Sequence, residues 1–166
     1  MRVIELLDQS HDRDLFDCGN DALNQFLQQT ARQHNQKGVS RTFVLVDTGQ
    51  QEIVIGFFTL TLCEVRVEQL PLKFAKKYPT KVPGVKLARL AVSIDSQRKG
   101  IGGILMIEAM QRAVSVAENA GGIGLFVDAK DENARNYYLR YGFVILEDAS
   151  LQLFLPLSTI QQMLKP

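Results

Sequence analysis

The feature that most restricts the fold is a short basic segment with three glycines, set between a strand-like and a helix-like stretch. Apolar residues dominate Val85–Val92, the sequence QRKGIGG follows at 97–103, and Ile104–Asn119 has apolar residues at helical spacing. A helix start leaves N–H groups unpaired at the positive end of its dipole, and glycine lets the backbone approach an anion closely. Arg98 and Lys99 add positive charge. The segment therefore predicts a turn that binds phosphate or pyrophosphate.

The spacing of the glycines separates this turn from two common phosphate motifs. It is not a P-loop, because no Lys-Ser or Lys-Thr follows the glycines. Gly100, Gly102 and Gly103 lack the G-x-G-x-x-G spacing of a dinucleotide fingerprint, and the strand before them comes late in the chain. Taken alone, the turn is equally compatible with a strand-to-helix connection that binds no ligand.

Length and composition indicate a single globular domain over residues 1–166. The chain has 46% hydrophobic and 22% charged residues, which is typical of soluble proteins. A net charge of +1 gives no overall preference for polyanions but leaves room for a local basic patch. Cys18 and Cys63 lack metal-ligand spacing, so we expect no metal site. Without a membrane-spanning apolar run or a secretion signal, we expect a cytoplasmic protein with no membrane association.

The remaining periodicity predicts alternating strands and helices. A helix over Leu23–Gln36 precedes a hairpin of two strands, Arg41–Asp47 and Ile53–Val67. The stretch Leu70–Gly84, rich in Pro and Lys, predicts a surface loop with about one helical turn. Downstream we expect a strand over Ile123–Ala129, a helix over Asn133–Tyr141, strands over Phe143–Leu146 and Leu151–Leu155, and a helix over Ser158–Leu164. This order predicts an α/β fold with a central sheet and helices on its faces.

Two motifs in the correct order resemble the signatures of the GNAT acetyltransferase superfamily. Leu90-Ala91-Val92 followed by QRKGIG resembles its cofactor motif, Q/R-x-x-G-x-G/A after an apolar strand. The sequence ARNYYLRYGF at 134–143 resembles its second signature, A-x-x-F-Y-x-x-x-G-F, with Tyr137 where the superfamily often has Phe. The resemblance implies a mixed, mostly antiparallel central sheet with a splayed parallel strand pair and helices on both faces.

The resemblance also implies acetyl-CoA as the cofactor and indicates which residues bind it. Acetyl-pantetheine is expected between Val85–Val92 and Ile123–Ala129, where the backbone of Leu90 and Val92 pairs with its amides. The N–H groups of residues 98–103 are expected to hold the pyrophosphate. The implied cofactor-binding residues are Leu90, Ala91, Val92, Gln97, Arg98, Lys99, Gly100, Ile101, Gly102, Gly103 and Asn133.

Acetyl transfer to an amine needs a neutral amine, a donor for the oxyanion and a donor for the leaving thiolate. The resemblance places Tyr138 near the thioester sulfur. A phenol is neutral at pH 7 and donates, so we expect Tyr138 to be the general acid rather than only a packing residue. The N–H of Val92 is the expected oxyanion donor. No general base is evident: Glu64 is a candidate through a water, His34 is expected to be a solvated surface residue and His11 a loop residue.

The N-terminal region resembles one subgroup of the superfamily. The sequence FDCGNDALNQFL at 16–27 resembles its opening, F-x-C-G-x-x-x-L-x-x-F-L, and residues 40–44, 87–92 and 154–160 are similar to the same subgroup. Its characterised members are toxins of toxin–antitoxin pairs that acetylate the α-amino group of aminoacyl-tRNA. The resemblance thus implies aminoacyl-tRNA as the acceptor, a cognate antitoxin as a partner, and a homodimer.

Basic residues in two regions are the candidates for tRNA binding, because a tRNA partner requires a basic surface. The α-amine of an aminoacyl ester is less basic than that of lysine, so a weak base suffices. The candidates are Arg32, Lys37 and Arg41 near the first helix, Lys76 and Lys77 in the Pro-rich loop, and Arg89 on the following strand, with Lys73, Lys81 and Lys86 nearby. Charge runs are also typical of solvated loops. The sequence leaves open a small-molecule or peptide N-acetyltransferase, and a non-catalytic acyl-CoA-binding regulatory module.

Overall fold

The computed structural model describes residues 1–166 and contains seven strands and six α-helices. The strands are β1 (Arg2–Leu6), β2 (Arg41–Asp47), β3 (Gly56–Arg66), β4 (Lys81–Val92), β5 (Gly124–Asp128), β6 (Val144–Leu146) and β7 (Ala149–Pro156). The helices are α1 (Asp21–Gln25), α2 (Ala31–Lys37), α3 (Leu72–Ala75), α4 (Ile101–Asn119), α5 (Glu132–Leu139) and α6 (Leu157–Met163). A π-helical segment, Phe26–Thr30, joins α1 to α2. None of the helices combines the length and the apolar composition needed to cross a bilayer.

The strands form one mixed sheet in the order β1-β2-β3-β4-β5-β7-β6. The pairs β1–β2, β2–β3, β5–β7 and β6–β7 are antiparallel, and β4–β5 is parallel. The parallel pairing extends only from Val85 opposite Leu125 to Leu87 opposite Val127. The expected mixed, mostly antiparallel sheet with one parallel pair is confirmed.

The chain divides into two compact units, each made of two segments. The first unit comprises Met1–Thr61 and Ala88–Ala109, and the second comprises Leu62–Leu87 and Met110–Pro166. Three elements, β3, β4 and α4, contribute residues to both units. A single domain over residues 1–166 therefore stays a prediction.

The first unit is built around a buried aromatic cluster. Phe57 on β3 is fully buried, and the rings of Phe16 and Phe26 lie 5.4 and 6.4 Å from it, centroid to centroid. At the start of β3, a Cβ on Gly56 would lie 3.0 Å from the carbonyl oxygen of Ala91. Such a contact is too short for a side chain, so glycine is what lets the backbone of Ala91 approach β3.

The second unit is built around a separate aromatic cluster. Phe126 on β5 stacks on Phe154 on β7 at 4.8 Å, and Phe74 of α3 meets the Phe154 ring edge-on at 5.5 Å. Leu70 and Val82 are buried in the same cluster. The Pro-rich stretch contains the single helical turn that was predicted, α3, and Leu70 and Phe74 pack it into this cluster instead of leaving it on the surface.

The first predicted helix is interrupted. Asn20 caps α1 through its side chain, and Gly38 at φ +72° ends α2. Between them the Ala31 N–H bonds to the Phe26 carbonyl, which gives the π-helical segment in place of continuous α-helix. Helical periodicity did not reveal the change, because one wider turn keeps Phe26 and Ala31 on the buried side.

One unpredicted strand and two shifted boundaries are the other differences that matter for the site. The edge strand β1 was not predicted, because Arg2–Leu6 is short and its two ends are exposed. Strand β4 begins at Lys81 rather than Val85 and includes Pro83. Helix α4 begins at Ile101 rather than Ile104, so Gly102 and Gly103 lie in its first turn despite the low helix propensity of glycine.

Candidate active site

The basic turn in the first unit has the backbone geometry of an anion site. Arg98 has φ +62° and Gly100 has φ +80°, so two residues around Lys99 lie in the left-handed region. That conformation is unusual for a non-glycine residue such as Arg98. Alternation into the left-handed region turns successive N–H groups toward one side and forms an anion-binding concavity.

The start of α4 supplies unpaired donors next to this turn. The N–H of Ile104 bonds to the Gly100 carbonyl at 3.3 Å, which is the first bond of the helix. The N–H groups of Ile101, Gly102 and Gly103 precede that bond and have no helical carbonyl to use. The predicted pyrophosphate-binding residues are therefore brought together, with most of the N–H groups supplied by the helix itself.

Gln97 has a supporting role that the sequence did not indicate. Its side-chain amide donates to the Val92 carbonyl and to the Cys18 carbonyl, each at 2.9 Å. Gln97 thus ties the end of β4 to both the turn and the N-terminal segment. An amide is needed here because a carboxylate has no proton to donate.

The N-terminal motif is also hydrogen-bonded to the segment that leads into the turn. The Ile94 N–H donates to the Asp17 carbonyl at 2.9 Å. The Asp17 carboxylate accepts the Gly19 N–H at 2.8 Å and the Asn24 amide at 3.0 Å, and these bonds lower the pKa of the Asp17 carboxyl. The segment 16–24 therefore supports the turn of the same unit that is predicted to bind acetyl-CoA.

The end of β4 carries the remaining predicted residues of the first unit. Ala91 is buried, whereas Leu90 and Val92 are half-buried. The guanidinium carbon of Arg89 lies 3.7 Å from the centroid of the Phe26 ring, and burial lowers the pKa of Arg89. Phe26 is a residue that sequence reasoning missed, because its apolar pattern indicated only a core position.

In the second unit, α5 presents the predicted catalytic tyrosine. The Asp131 carboxylate accepts the Ala134 N–H at 2.8 Å and caps the helix, which accounts for the Asp at this position. Asn133 is exposed in the first turn. The Tyr138 ring contacts Phe143 at 5.5 Å and Tyr137 at 5.4 Å, and its hydroxyl makes no hydrogen bond within the protein.

Burial reinforces the protonated state of Tyr138, which a phenol already has at neutral pH. Loss of solvent raises the pKa of Tyr138 to about 12. The phenol is a hydrogen-bond donor throughout the neutral range. Burial and a 3.3 Å contact between the Tyr137 and Tyr141 hydroxyls likewise raise the pKa of Tyr137, whose hydroxyl is already occupied.

The three residues considered as bases lie in unlike surroundings. His11 lies in a loop, as expected, but its side chain is buried, with Nδ1 accepting the Asp8 N–H and Nε2 bonded to Glu5 at 2.7 Å. His34 is half-buried against the Phe26 ring at 5.9 Å and is therefore less solvated than expected. Glu64 is exposed and lies 3.8 Å from the Lys81 ammonium.

The basic candidates separate into paired and unpaired residues. In the second unit Lys86 pairs with Asp128 at 2.5 Å, whereas the exposed Lys76 and Lys77 make no ion pair. In the first unit the Arg41 guanidinium donates to the Asn35 carbonyl at 2.6 Å and so caps the end of α2. Arg32 lines a cavity of about 330 Å³, and Lys37 is exposed at the end of α2. No group of three or more His, Cys, Asp or Glu side chains is arranged to hold a metal ion.

Similarity to known proteins covers nearly the whole chain. A relative, the tRNA-acetylating toxin of Mycobacterium tuberculosis, is 31% identical over 140 residues, which are 84% of this chain and 82% of the relative. The structure of AtaT complexed with acetyl-methionyl-tRNAfMet matches with a TM-score of 0.92 at 31% identity, over 99% of this chain and 100% of that one.

A third matching structure contains an antitoxin segment and acetyl-CoA besides the toxin. A tyrosine-to-phenylalanine mutant of the toxin AtaT, bound to the C-terminus of the antitoxin AtaR and acetyl-CoA, has a TM-score of 0.84 at 28% identity, with 99% of both chains covered. The model of the acetyltransferase (GNAT) family matches residues 2–143. The fold implied by the two sequence motifs is confirmed, and the chain belongs to the GNAT acetyltransferase family.

Proposed function

We propose that the protein transfers the acetyl group of acetyl-CoA to the α-amino group of aminoacyl-tRNA. The observation that carries this proposal is the full-length similarity to AtaT, whose structure was solved with acetyl-methionyl-tRNA. The relative from Mycobacterium tuberculosis is named for the same activity. By the same similarity we propose an antitoxin as a protein partner and the cytoplasm, where tRNA is charged, as the location; a homodimer remains a further prediction.

The basic turn fits the pyrophosphate of acetyl-CoA. Its left-handed residues Arg98 and Gly100 and the unpaired N–H groups at the start of α4 are the donors that a diphosphate requires. Lys99 adds charge beside them. Gln97 acts indirectly by holding the turn to β4, and Leu90 to Val92 offer backbone groups to the pantetheine amides.

Tyr138 is proposed to act on the sulfur that leaves. Acetyl-CoA supplies an activated thioester carbonyl, which the neutral amine attacks. The Tyr138 hydroxyl would donate to the sulfur, and the Val92 N–H would donate to the carbonyl oxygen. With a pKa near 12, Tyr138 is a weaker acid than an ordinary thiol at about 8.5. We therefore expect the phenol to give its proton to the sulfur as the C–S bond breaks and its oxygen to take up the proton that the amine loses, so that the phenol is protonated again at the end.

A labelling experiment tests the proposal. The protein is incubated with acetyl-labelled CoA and a set of aminoacyl-tRNAs, and in parallel with polyamines and short peptides. We expect label on the RNA that mild alkali releases as N-acetyl amino acid. Label on polyamines or peptides alone would instead identify a small-molecule or peptide acetyltransferase. Binding of acetyl-CoA without transfer to any amine would identify a regulatory module.

A further inference from the structure

Arg89 is a half-buried arginine without a partner for its hydrogen-bond donors. Its guanidinium lies over the Phe26 ring, 3.7 Å from the centroid, and makes no hydrogen bond or ion pair within the protein. Burial is the only cause of its lowered pKa, so no nearby carboxylate compensates the charge. A cation that has lost part of its hydration without gaining an anion favours a ligand that supplies one.

Three other arginines of the chain have hydrogen-bonding partners. Arg66 pairs with Glu68 at 2.6 Å, Arg13 donates to the Gln28 carbonyl at 3.0 Å, and Arg41 donates to the Asn35 carbonyl. Each of these side chains has an evident structural role. Arg89 differs because only one face of its guanidinium is used, in a contact that leaves the N–H edges available.

Phe26 fixes the plane of that guanidinium. The Phe26 ring is held by Phe57, nearly parallel at 6.4 Å, and by the edge of His34 at 5.9 Å. Phe26 is also the first residue of the π-helical segment, and its carbonyl accepts the Ala31 N–H. A planar cation stacked on an immobile ring loses less entropy when its N–H fork binds an oxyanion.

The position of Arg89 on β4 indicates which oxyanion it binds. Arg89 precedes Val92, the proposed oxyanion donor, by about 10 Å along the extended strand. The diphosphate of the coenzyme is assigned to the turn beyond Val92, so the phosphate near Arg89 is expected to come from the acceptor. In an aminoacyl-tRNA, one nucleoside separates the ester from the nearest phosphodiester.

We propose that Arg89, oriented by Phe26, binds the phosphodiester nearest the aminoacyl ester of the acceptor RNA through its guanidinium fork. Phe26 is a positioning residue and does not touch the substrate. This inference rests on the proposed function and adds to it the recognition of a backbone phosphate, which every tRNA carries. On this proposal, Arg89 recognises the RNA backbone at the acceptor end, whichever amino acid is attached.

The test compares two acceptors that differ in this phosphate. One is a full aminoacyl-tRNA, and the other is aminoacyl-adenosine, which carries the same ester and amine but no phosphate. For Arg89→Gln we expect kcat/KM on aminoacyl-tRNA to fall about tenfold or more, the value of a lost charged hydrogen bond. On aminoacyl-adenosine we expect a change within about twofold of wild type.

Two further variants test the geometry. Arg89→Lys keeps the charge but not the fork, so we expect it to recover only part of the loss. Phe26→Leu keeps an apolar side chain but removes the flat ring, and it should weaken use of aminoacyl-tRNA more than use of aminoacyl-adenosine. Arg66→Gln, at an exposed arginine paired with Glu68, is the matched control and should leave both rates unchanged.

The outcomes separate this proposal from the function on which it rests. Equal losses of Arg89→Gln on both acceptors, or a raised KM for acetyl-CoA instead, would overturn the assignment to the acceptor phosphate. Full activity of both Arg89→Gln and Arg89→Lys on aminoacyl-tRNA would overturn it as well. If wild-type protein acetylates neither acceptor, the proposed function itself fails and takes this inference with it.

Discussion

The functional candidates of the two units are held in place in opposite ways. In the first unit the turn is tied down: Gln97 bonds to the carbonyls of Val92 and Cys18, and Ile94 bonds to Asp17. In the second unit the Tyr138 hydroxyl makes no hydrogen bond within the protein. The turn offers backbone groups whose placement depends on neighbours, whereas Tyr138 offers a side-chain hydroxyl that acts directly. Substitutions that loosen the turn should therefore alter binding of acetyl-CoA, and substitutions of Tyr138 should alter chemistry.

The largest effect is expected from Tyr138→Phe. Phe keeps the ring contacts with Tyr137 and Phe143, so the change removes only the hydroxyl. Loss of a proton donor typically costs about a hundredfold or more in turnover. We expect kcat to fall by about that factor, while the Kd for acetyl-CoA measured by calorimetry stays within about twofold.

Tyr137→Phe is the matched control for that change. It also deletes one hydroxyl from α5, but the Tyr137 hydroxyl is already bonded to Tyr141 at 3.3 Å. Turnover should then change only a few-fold. Equal turnover in Tyr138→Phe and wild type would remove the proton-donor role and leave Tyr138 as a packing residue.

The second effect, expected from Gln97→Ala, lies in binding. Alanine removes both side-chain bonds that fix the turn to β4 and to Cys18. Each such bond contributes about 1 kcal/mol, so we expect the KM for acetyl-CoA to rise about tenfold with kcat nearly unchanged. Gln97→Glu keeps the shape but cannot donate and should behave like the alanine variant. A kcat loss without a KM change would contradict the supporting role.

Features that lie within one short stretch of sequence could be predicted, whereas contacts between distant stretches could not. The turn and the tyrosine helix each lie within one local motif, where the placement of glycines and the spacing of aromatic residues are visible in the chain itself. Helix α4 nevertheless began earlier than predicted, because tertiary packing of buried Ile101 and Leu105 outweighs the poor propensity of two glycines. Local rules therefore predicted the position of the candidate turn and the tyrosine helix, but not which backbone N–H groups begin α4.

Contacts between distant parts of the sequence were beyond such rules. His11 is buried beside Glu5 because the chain folds back after β1, and no local pattern marks it. The stacking of Arg89 on Phe26 joins residues far apart in the chain, and Phe26 begins a π-helical segment that helical periodicity does not reveal. Both features depend on side-chain placement in three dimensions, which a pattern of apolar and polar residues does not specify.

A smaller effect is expected from charge reversal at Lys76 and Lys77. Both lysines are exposed and make no ion pair, so they are candidates for phosphate contacts that act over a distance. We expect Lys76→Glu with Lys77→Glu to raise the KM for aminoacyl-tRNA about threefold to tenfold at low salt, with less effect at high salt. Acetyl-CoA binding should be unchanged. A loss that does not depend on salt would exclude an electrostatic role.

The smallest effect is expected from alkaline pH, and it tests whether burial alone controls Tyr138. An exposed tyrosine would lose its proton near pH 10, but the raised pKa of Tyr138 keeps the donor form up to about pH 12. The acceptor for this test is an amide-linked aminoacyl-nucleoside, because it resists hydrolysis at high pH. We expect kcat to rise as the amine of this acceptor deprotonates and then to stay level up to about pH 10.5. A decline centred near pH 10, absent from Tyr138→Phe, would mean that the active tyrosine is solvated, and the contrast between the two units would then lose its main support.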